Sequence, residues 1–398
     1  MTSPLMNVYA RAPLAFVKGE GPWLTSREGG EPYLDCVAGV ASNALGHCHP
    51  ALVAALTEQG NMLWHVSNMF QVPGQDALAA RLTDACFADT VFFANTGTEA
   101  VECAIKVARR YHAARGDAQR QTIIGFHGAF HGRTYGALNA AGNAAHLDGF
   151  GAPMPGFVHL SPDDRASLAA EIADPATAAV LIEPVQGEGG ARAMTRGFLE
   201  SLRAACTSAG VLLIYDEVQS GMGRTGQLFA HQWFPGTDPD IMAVAKALGS
   251  GLPVAACLAT TEAASGMQPG GHGSTFGGNP LAMAVAIAAF DEIAKSETLE
   301  HARALSEHLR GSLDALVAGW PGVMVEVRGK GLLIGLKLAV NNRAFIAAAR
   351  EQRLLVAGGG GNIVRLLPPL TMSFAEADGV VARLDATCAA MAAAEIAA

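Results

Sequence analysis

From Val91 to Ala259 the chain alternates strand-length apolar runs with amphipathic helices, and that alternation narrows the folds open to it. The apolar runs are Val91–Ala94, Thr122–Phe126, Ala178–Glu183, Val211–Tyr215, Ile241–Ala245 and Val254–Ala259. Helical patterns lie at Thr98–Arg110 and Gly197–Ala209. In the first, Val101, Ala104, Ile105 and Ala108 recur at i, i+3, i+4 and i+7, which makes one apolar face. Runs that are apolar throughout suit strands buried on both faces. The expectation is an α/β fold with a mainly parallel sheet covered by helices.

Outside this region the pattern changes. Ala51–Asn61 reads as a helix, and Leu281–Lys295 as a long helix leading away from the sheet. Helices at 297–317 and 342–352, strands near 323–338 and at Ile363–Leu366, and an Ala-rich last helix follow. We expect a smaller α+β domain over 296–398, a large domain over 51–295, and an N-terminal segment, 1–50, that packs with the small domain through a strand near Tyr33–Asp35. The glycine run Gly358–Gly361 reads as a tight turn before a strand.

A chain of 398 residues that is 50% hydrophobic can bury a large core. Its net charge of −9, with no basic run, argues against nucleic acid and anionic membranes as partners. The longest apolar run, Leu281–Phe290, is far short of a membrane span, and the N-terminus has no secretory pattern. The seven scattered cysteines form no CxxC, which fits buried thiols in a reducing cytoplasm. His47-Cys48-His49 is followed by Pro50 and has no second ligand cluster, so it reads as a turn, and no metal is expected.

The chemistry centres on Val211–Lys246. Asp216 and Glu217 stand where the strand Val211–Tyr215 ends, and Lys246 stands where Ile241–Ala245 ends. Ligands of open α/β sheets bind just outside such strand ends. A lysine and an aspartate so placed suit pyridoxal phosphate: the amine forms a Schiff base with its aldehyde, and the acid keeps its ring nitrogen protonated. A structural ion pair is the alternative reading. Gly221-Met222-Gly223-Arg224-Thr225-Gly226 also matches GxGxxG, with Asp240 19 residues beyond Gly221. We set aside a nicotinamide site there. Two carboxylates occupy the place of the pyrophosphate, and Pro235 and Pro239 interrupt the strand expected before the acid.

Two stretches could hold a phosphate. Asn95-Thr96-Gly97-Thr98-Glu99 opens a helix straight after a strand, where free N–H groups and the helix dipole favour an anion. It reads equally as an ordinary N-cap with Glu in the first turn. His272-Gly273-Ser274-Thr275-Phe276-Gly277-Gly278 is polar and glycine-rich, and reads also as a surface loop. Glu183 to Gly190 adds carboxylates at the same sheet edge, and Phe130-His131-Gly132-Arg133-Thr134 sets an aromatic face beside a guanidinium. His127 and His131 have helical spacing, but Gly128 and Gly132 argue against a helix and against metal ligation.

Taken together and in order, LGHCHP, FFANTGTEA, AFHGRT, EPVQGEGG, LLIYDEVQSGMGRTG, AKALGSGLP, GSTFGGNPLA and IVRLLPP resemble the class III, ornithine-type aminotransferases of pyridoxal-phosphate fold-type I. The likeness runs from about Tyr33 to Pro369 and is nearest to the acetylornithine enzymes of arginine biosynthesis. It implies Lys246 as the Schiff-base lysine and Asp216 as partner of the ring nitrogen, with Glu217 and Val218 beside it. It implies Gln219 near the ring hydroxyl, Phe130 stacked on the ring, and Gly97 and Thr98 on the phosphate. Thr275 would reach the phosphate of a neighbouring subunit, making a homodimer with shared sites. Arg133 would take the substrate α-carboxylate with Ser274 nearby. Glu188 would pair with Arg365, which is released for 2-oxoglutarate. Two departures are mild: Thr96 stands for the family's usual Ser, and Val101 for an Asn.

The resemblance implies ping-pong transfer of an ω-amino group to 2-oxoglutarate. Succinylornithine, succinyldiaminopimelate, ornithine and 4-aminobutyrate remain alternative donors. Ornithine enzymes of the family carry a tyrosine six residues before the glycine of Gly-His-x-His-Pro, where it meets the free α-amino group. Here Val40 stands there, and it cannot pair with an ammonium. The plain alternative is that Val40 is a core residue. The ornithine enzymes also usually carry Trp at the position of His131.

Overall fold

The computed structural model describes residues 4–397. Its centre is a seven-stranded sheet in the order Thr90–Ala94, Ala255–Ala259, Ile241–Val244, Leu212–Asp216, Thr177–Ile182, Thr122–Phe126 and Phe157–Leu160. Only Ala255–Ala259 runs antiparallel to its neighbours; it follows Ile241–Val244 directly in the chain and pairs with it. The register that matters sets Asp216 beside Ala243 on the neighbouring parallel strand, three residues before Lys246. Both side-chain-bearing strand ends therefore open on one edge of the sheet.

Helices cover both faces. Gly97–Ala114 packs Val101, Ala104, Ile105 and Ala108 onto one face, and Arg196–Ala209 packs Phe198, Leu199 and Leu202 onto the other. Thr177–Ile182 and Leu212–Asp216 are buried at every position, the pattern expected of a parallel sheet with two covers. The strand Phe157–Leu160 and the helix Pro73–Asp84 had no clear signature; the strand is half-buried at every position, and the helix mixes buried and exposed residues in short compass.

Met324–Lys330, Leu333–Leu338, Ile363–Leu366 and Ala357–Gly359 form a second, antiparallel sheet. The glycine run is thus partly strand, with the turn at Gly361 at φ +68°. The N-terminal strands Phe16–Glu20, Trp23–Ser26 and Tyr33–Asp35 form a further sheet, completed by the parallel pairing of Leu34 and Asp35 with Leu354 and Leu355.

Immediately after Tyr33–Asp35 the backbone does something rare. Ala38, Gly39, Val40 and Ala41 have φ of 46°, 63°, 58° and 67°, one turn of left-handed helix. Ala41 N–H donates to Val37 O at 3.0 Å, closing it. Left-handed helix costs roughly 1–2 kcal/mol for each non-glycine residue, and three of these four carry a Cβ.

Candidate active site

A cavity of about 330 Å³ lies at the sheet edge where the strands carrying Asp216 and Lys246 end. Gly97, Thr98, Phe130, Glu188, Asp216, Val218, Gln219 and Lys246 line it, with Ser42, Glu183 and the 251–254 loop. Lys246 begins a short 3-10 turn with φ +45°, a left-handed backbone at the tip of a buried strand. Burial pulls its amine down to about 8, against the opposing pull of Glu188 and Asp216. A good share of the side chain is then neutral near pH 7 to 8, as a nucleophile or base needs.

Asp216 is 3% exposed and its two oxygens are held apart in role. One accepts from Val218 N–H at 2.9 Å; the other lies 2.7 Å from His131 Nδ1. The His131 side chain is fully enclosed. Burial disfavours its charged form, but the Asp216 hydrogen bond and charge, helped by Glu183, raise its pKa overall. His131 therefore fixes the rotamer of Asp216 from behind. Sequence reasoning set this histidine aside as a metal ligand and used it only to tell acetylornithine from ornithine enzymes; the missed signal was its place beside Phe130, in the loop over the strand end. Glu183 completes the layer. Its carboxylate accepts from Phe130 N–H at 3.1 Å and Gly187 N–H at 3.2 Å, and burial pushes its pKa up to about 7.

At the helix Gly97–Ala114 the N-cap reading of Asn95–Glu99 is what the side chains form. Thr96 and Glu99 form a capping box, and Glu99 also accepts from Asn95 N–H at 2.6 Å. Among the described residues the cap leaves the N–H groups of Gly97 and Thr98 without partners on the cavity wall. A Cβ on Gly97 would come within 2.6 Å of Val218, so only glycine lets the helix end approach this closely. Opposite, Arg365 Nη1 lies 2.7 Å from Glu188 and donates to Gln219 Oε1 at 3.2 Å, while its other nitrogens bond Gly358 O. Arg365 is 3% exposed, so a buried guanidinium sits against the cavity residues Glu188 and Gln219.

Four expected residues lie elsewhere. The Glu217 carboxylate points away from the cavity and caps Ala230–Trp233, accepting from Ala230 and His231 N–H. Alternation along an extended segment explains it: Asp216 and Glu217 face opposite sides. Ser274 Oγ accepts from Gly277 N–H at 2.9 Å and from Asn95 Nδ2, and Thr275 is exposed; neither lines the cavity of its own chain. Arg133 is exposed, with its guanidinium 5.4 Å from the Phe130 ring centre and 3.3 Å from His146 Nε2. Thr134, next to it, bonds Thr98. Among the described residues no group of His, Cys, Asp and Glu could hold a metal, and no helix is long and apolar enough to cross a membrane.

A buried, partly neutral lysine beside a buried carboxylate, with a helix end free to take an anion, defines a class of protein: the chain belongs to the class-III aminotransferases, whose family model matches residues 6–388. It is 57% identical over 386 residues to acetylornithine aminotransferase 2 of Caulobacter vibrioides, covering 97% of this chain and 95% of that one. It is 51% identical over 384 residues to the acetylornithine aminotransferase of Mesorhizobium japonicum, covering 96% of each. Among solved structures it is similar to the ornithine aminotransferase of Toxoplasma gondii ME49, with a TM-score of 0.91, 32% identity and coverage of 98% and 93%. It is similar also to the N-acetylornithine aminotransferase of Stenotrophomonas maltophilia K279a, with a TM-score of 0.85, 36% identity and coverage of 97% and 98%.

Enzymes of this class use pyridoxal phosphate. The donor set here fits that group: free N–H groups and a hydroxyl for a phosphate, an ionised acid for a ring nitrogen, and an amine of lowered basicity for an aldehyde.

Proposed function

We propose that the protein transfers the δ-amino group of N-acetylornithine to 2-oxoglutarate, giving N-acetylglutamate 5-semialdehyde and glutamate, reversibly, as a cytoplasmic homodimer. The observation that carries the chemistry is Lys246 and Asp216 on adjacent strand ends of one cavity. Pyridoxal phosphate supplies an electron sink for the carbanion formed beside the transferred nitrogen. The chain's residues do the rest. Gly97 and Thr98 anchor the phosphate, Phe130 covers the ring, Asp216 holds the ring nitrogen protonated, and the Lys246 Nζ carries the migrating proton. Gln219 lies toward the ring hydroxyl. Arg133, whose guanidinium lies by the cavity residue Phe130, takes the α-carboxylate of the donor. Glu188 masks Arg365 while the donor is bound and yields it when the second carboxylate of 2-oxoglutarate arrives, since a dicarboxylate can replace the ion pair bidentately.

Support for the donor comes from the relatives' names, which are acetylornithine aminotransferases at 50–57% identity over most of the chain, and from Val40. Val40 sits half-buried with Val185 and Ala191, which flank the loop carrying Glu188. An unpaired ammonium beside it would be costly, whereas an acylated nitrogen is neutral. We expect kcat/KM for acetylornithine to exceed that for ornithine by at least tenfold, about 1.4 kcal/mol, with succinylornithine also accepted because its amide is equally neutral. Ornithine preferred over both would overturn the donor assignment and leave the cofactor chemistry standing.

The homodimer rests on the Thr275 loop. Thr275 is exposed and absent from its own cavity, and beside it lies an apolar surface with Met69 83%, Trp64 66%, Phe70 64% and Phe276 58% exposed. Asn68 ties the two stretches together through Ser274 O and Gly277 O, both at 3.0 Å. Such a patch is more than a monomer usually leaves in water. If Thr275 serves the partner's phosphate site, Lys246→Ala and Thr275→Ala subunits, each crippled alone, regain activity when exchanged into hybrids. One hybrid site then carries neither lesion. A fully active monomer at assay concentration would contradict this.

A further inference from the structure

Of the turn Ala38–Ala41 only the Val40 side chain bears on the donor reading above; its left-handed backbone does not, and neither does His47 of the Gly-His-Cys-His-Pro motif. The structure joins them. Asp35 is 2% exposed. Its Oδ1 accepts from Val37 N–H at 2.8 Å and Ala38 N–H at 3.0 Å, the two donors that start the turn. Its Oδ2 lies 2.9 Å from His47 Nε2. His47 is in turn fixed by its backbone pairing with Gly21 and by Asn43 Nδ2 at 3.5 Å from Nδ1. A neutral imidazole with its proton on Nε2 satisfies both contacts, donating to Asp35 and accepting from Asn43.

The turn also has a fixed place. Ser42, the residue after it, lines the catalytic cavity together with Lys246 and Gly251. Gly39 and Asn43 line a second cavity of about 520 Å³ on the other side. Asn43 packs so closely on the Lys246-bearing loop that a Cβ on Gly251 would meet its Oδ1 at 2.6 Å. The turn therefore links the two cavities: Gly39 within it lines the second, and Ser42 directly after it lines the catalytic one. A conformation this unfavourable persists only where its surroundings over-determine it, and such sites cluster where function needs a rigid shape.

We infer that Ala38–Ala41 is a rigid wall that sets which amino donor the cavity accepts, and that Asp35 and His47 are the positioning residues that clasp it in its left-handed form. The inference rests on the aminotransferase reading, but not on which donor proves best. With the clasp intact, Val40 and Ser42 keep fixed positions and the side chain of the donor meets one shape. With the clasp open, the turn can relax toward ordinary backbone, and part of the neighbouring cavity becomes available to donors of other sizes.

The test compares holoenzymes of wild type, His47→Ala, His47→Gln and Asp35→Asn. The readouts are the ratio of kcat/KM between the best and second-best of acetylornithine, succinylornithine and ornithine, and the rate of the glutamate half-reaction. His47→Ala is expected to lower the ratio by about tenfold and to leave the glutamate half-reaction within about twofold. His47→Gln, whose amide N–H can still reach Asp35, is expected to restore most of the ratio. Asp35→Asn keeps an acceptor for Val37 and Ala38 but loses the charge, and should fall between. An unchanged ratio in His47→Ala overturns the inference. So does a parallel fall of every donor and of glutamate, which would make the clasp a general prop for the fold. Failure of the aminotransferase reading would look different, because wild type itself would then not turn over.

Discussion

Lys246→Ala is expected to fold as the wild type does and to lose transamination by about 10⁴-fold or more, the upper end for removal of a positioned acid–base group. The expectation follows from position as much as from chemistry. Among the described residues Lys246 is the only lysine lining the cavity, and its amine is pulled down to about 8 by burial while Glu188 and Asp216 oppose the shift. No neighbouring group can stand in for it. Glu183 and Glu188 are carboxylates, and His131 is committed to Asp216. Melting temperature should change little, because removing a buried, desolvated amine costs no ion pair: no carboxylate lies within 4.0 Å of Nζ among the described residues. Steady-state rates with saturating donor and acceptor, together with a thermal melt, check both halves. Turnover within tenfold of wild type would remove Lys246 from the mechanism.

Asp216→Asn has the second-largest expected effect. The amide keeps the size of the side chain, so the cavity should keep its shape and still bind the cofactor. What it loses is a formal charge in a site 3% exposed, where charge stabilisation is worth several kcal/mol. A rate loss of roughly a thousandfold, about 4 kcal/mol, is expected. The loss should be in kcat more than in donor KM if, as proposed, Asp216 serves the cofactor and not the donor's carboxylate. His131 sharpens the test. Its raised pKa depends on the Asp216 charge, so His131 should titrate at lower pH in Asp216→Asn. A histidine titration followed by NMR would show this. A rate loss below tenfold would mean that Asp216 does not face the cofactor.

The fold was largely legible because its strands are buried on both faces. Thr122–Phe126 and Ile363–Leu366 were readable to the residue, since unbroken apolar runs bounded by polar or glycine residues have few alternatives. Phe157–Leu160 was not, because an edge strand of half-buried residues carries no such signature. In the site, Asp216 and Lys246 could be read from their places at strand ends. Glu217 could not be told from Asp216, because adjacent carboxylates on an extended segment differ only in the side they face, and that is set by the Ala230–Trp233 turn it caps. His131 and Asp35 act through partners 85 and 12 residues away, and no periodicity encodes such contacts. The left-handed turn was hidden for another reason. Ala, Val and Ala favour right-handed backbone, so local propensity points the wrong way and tertiary contacts decide.

The most direct measurement of the central claim follows the nitrogen. N-acetylornithine labelled with 15N at the δ position is incubated with the holoenzyme and unlabelled 2-oxoglutarate, and both products are separated and weighed by mass spectrometry. The account predicts one labelled nitrogen in each glutamate formed, one aldehyde for each glutamate, and no label left in the aldehyde product. Label that stays with the ornithine skeleton, or glutamate that forms unlabelled, would contradict transfer of the δ-amino group through this cavity.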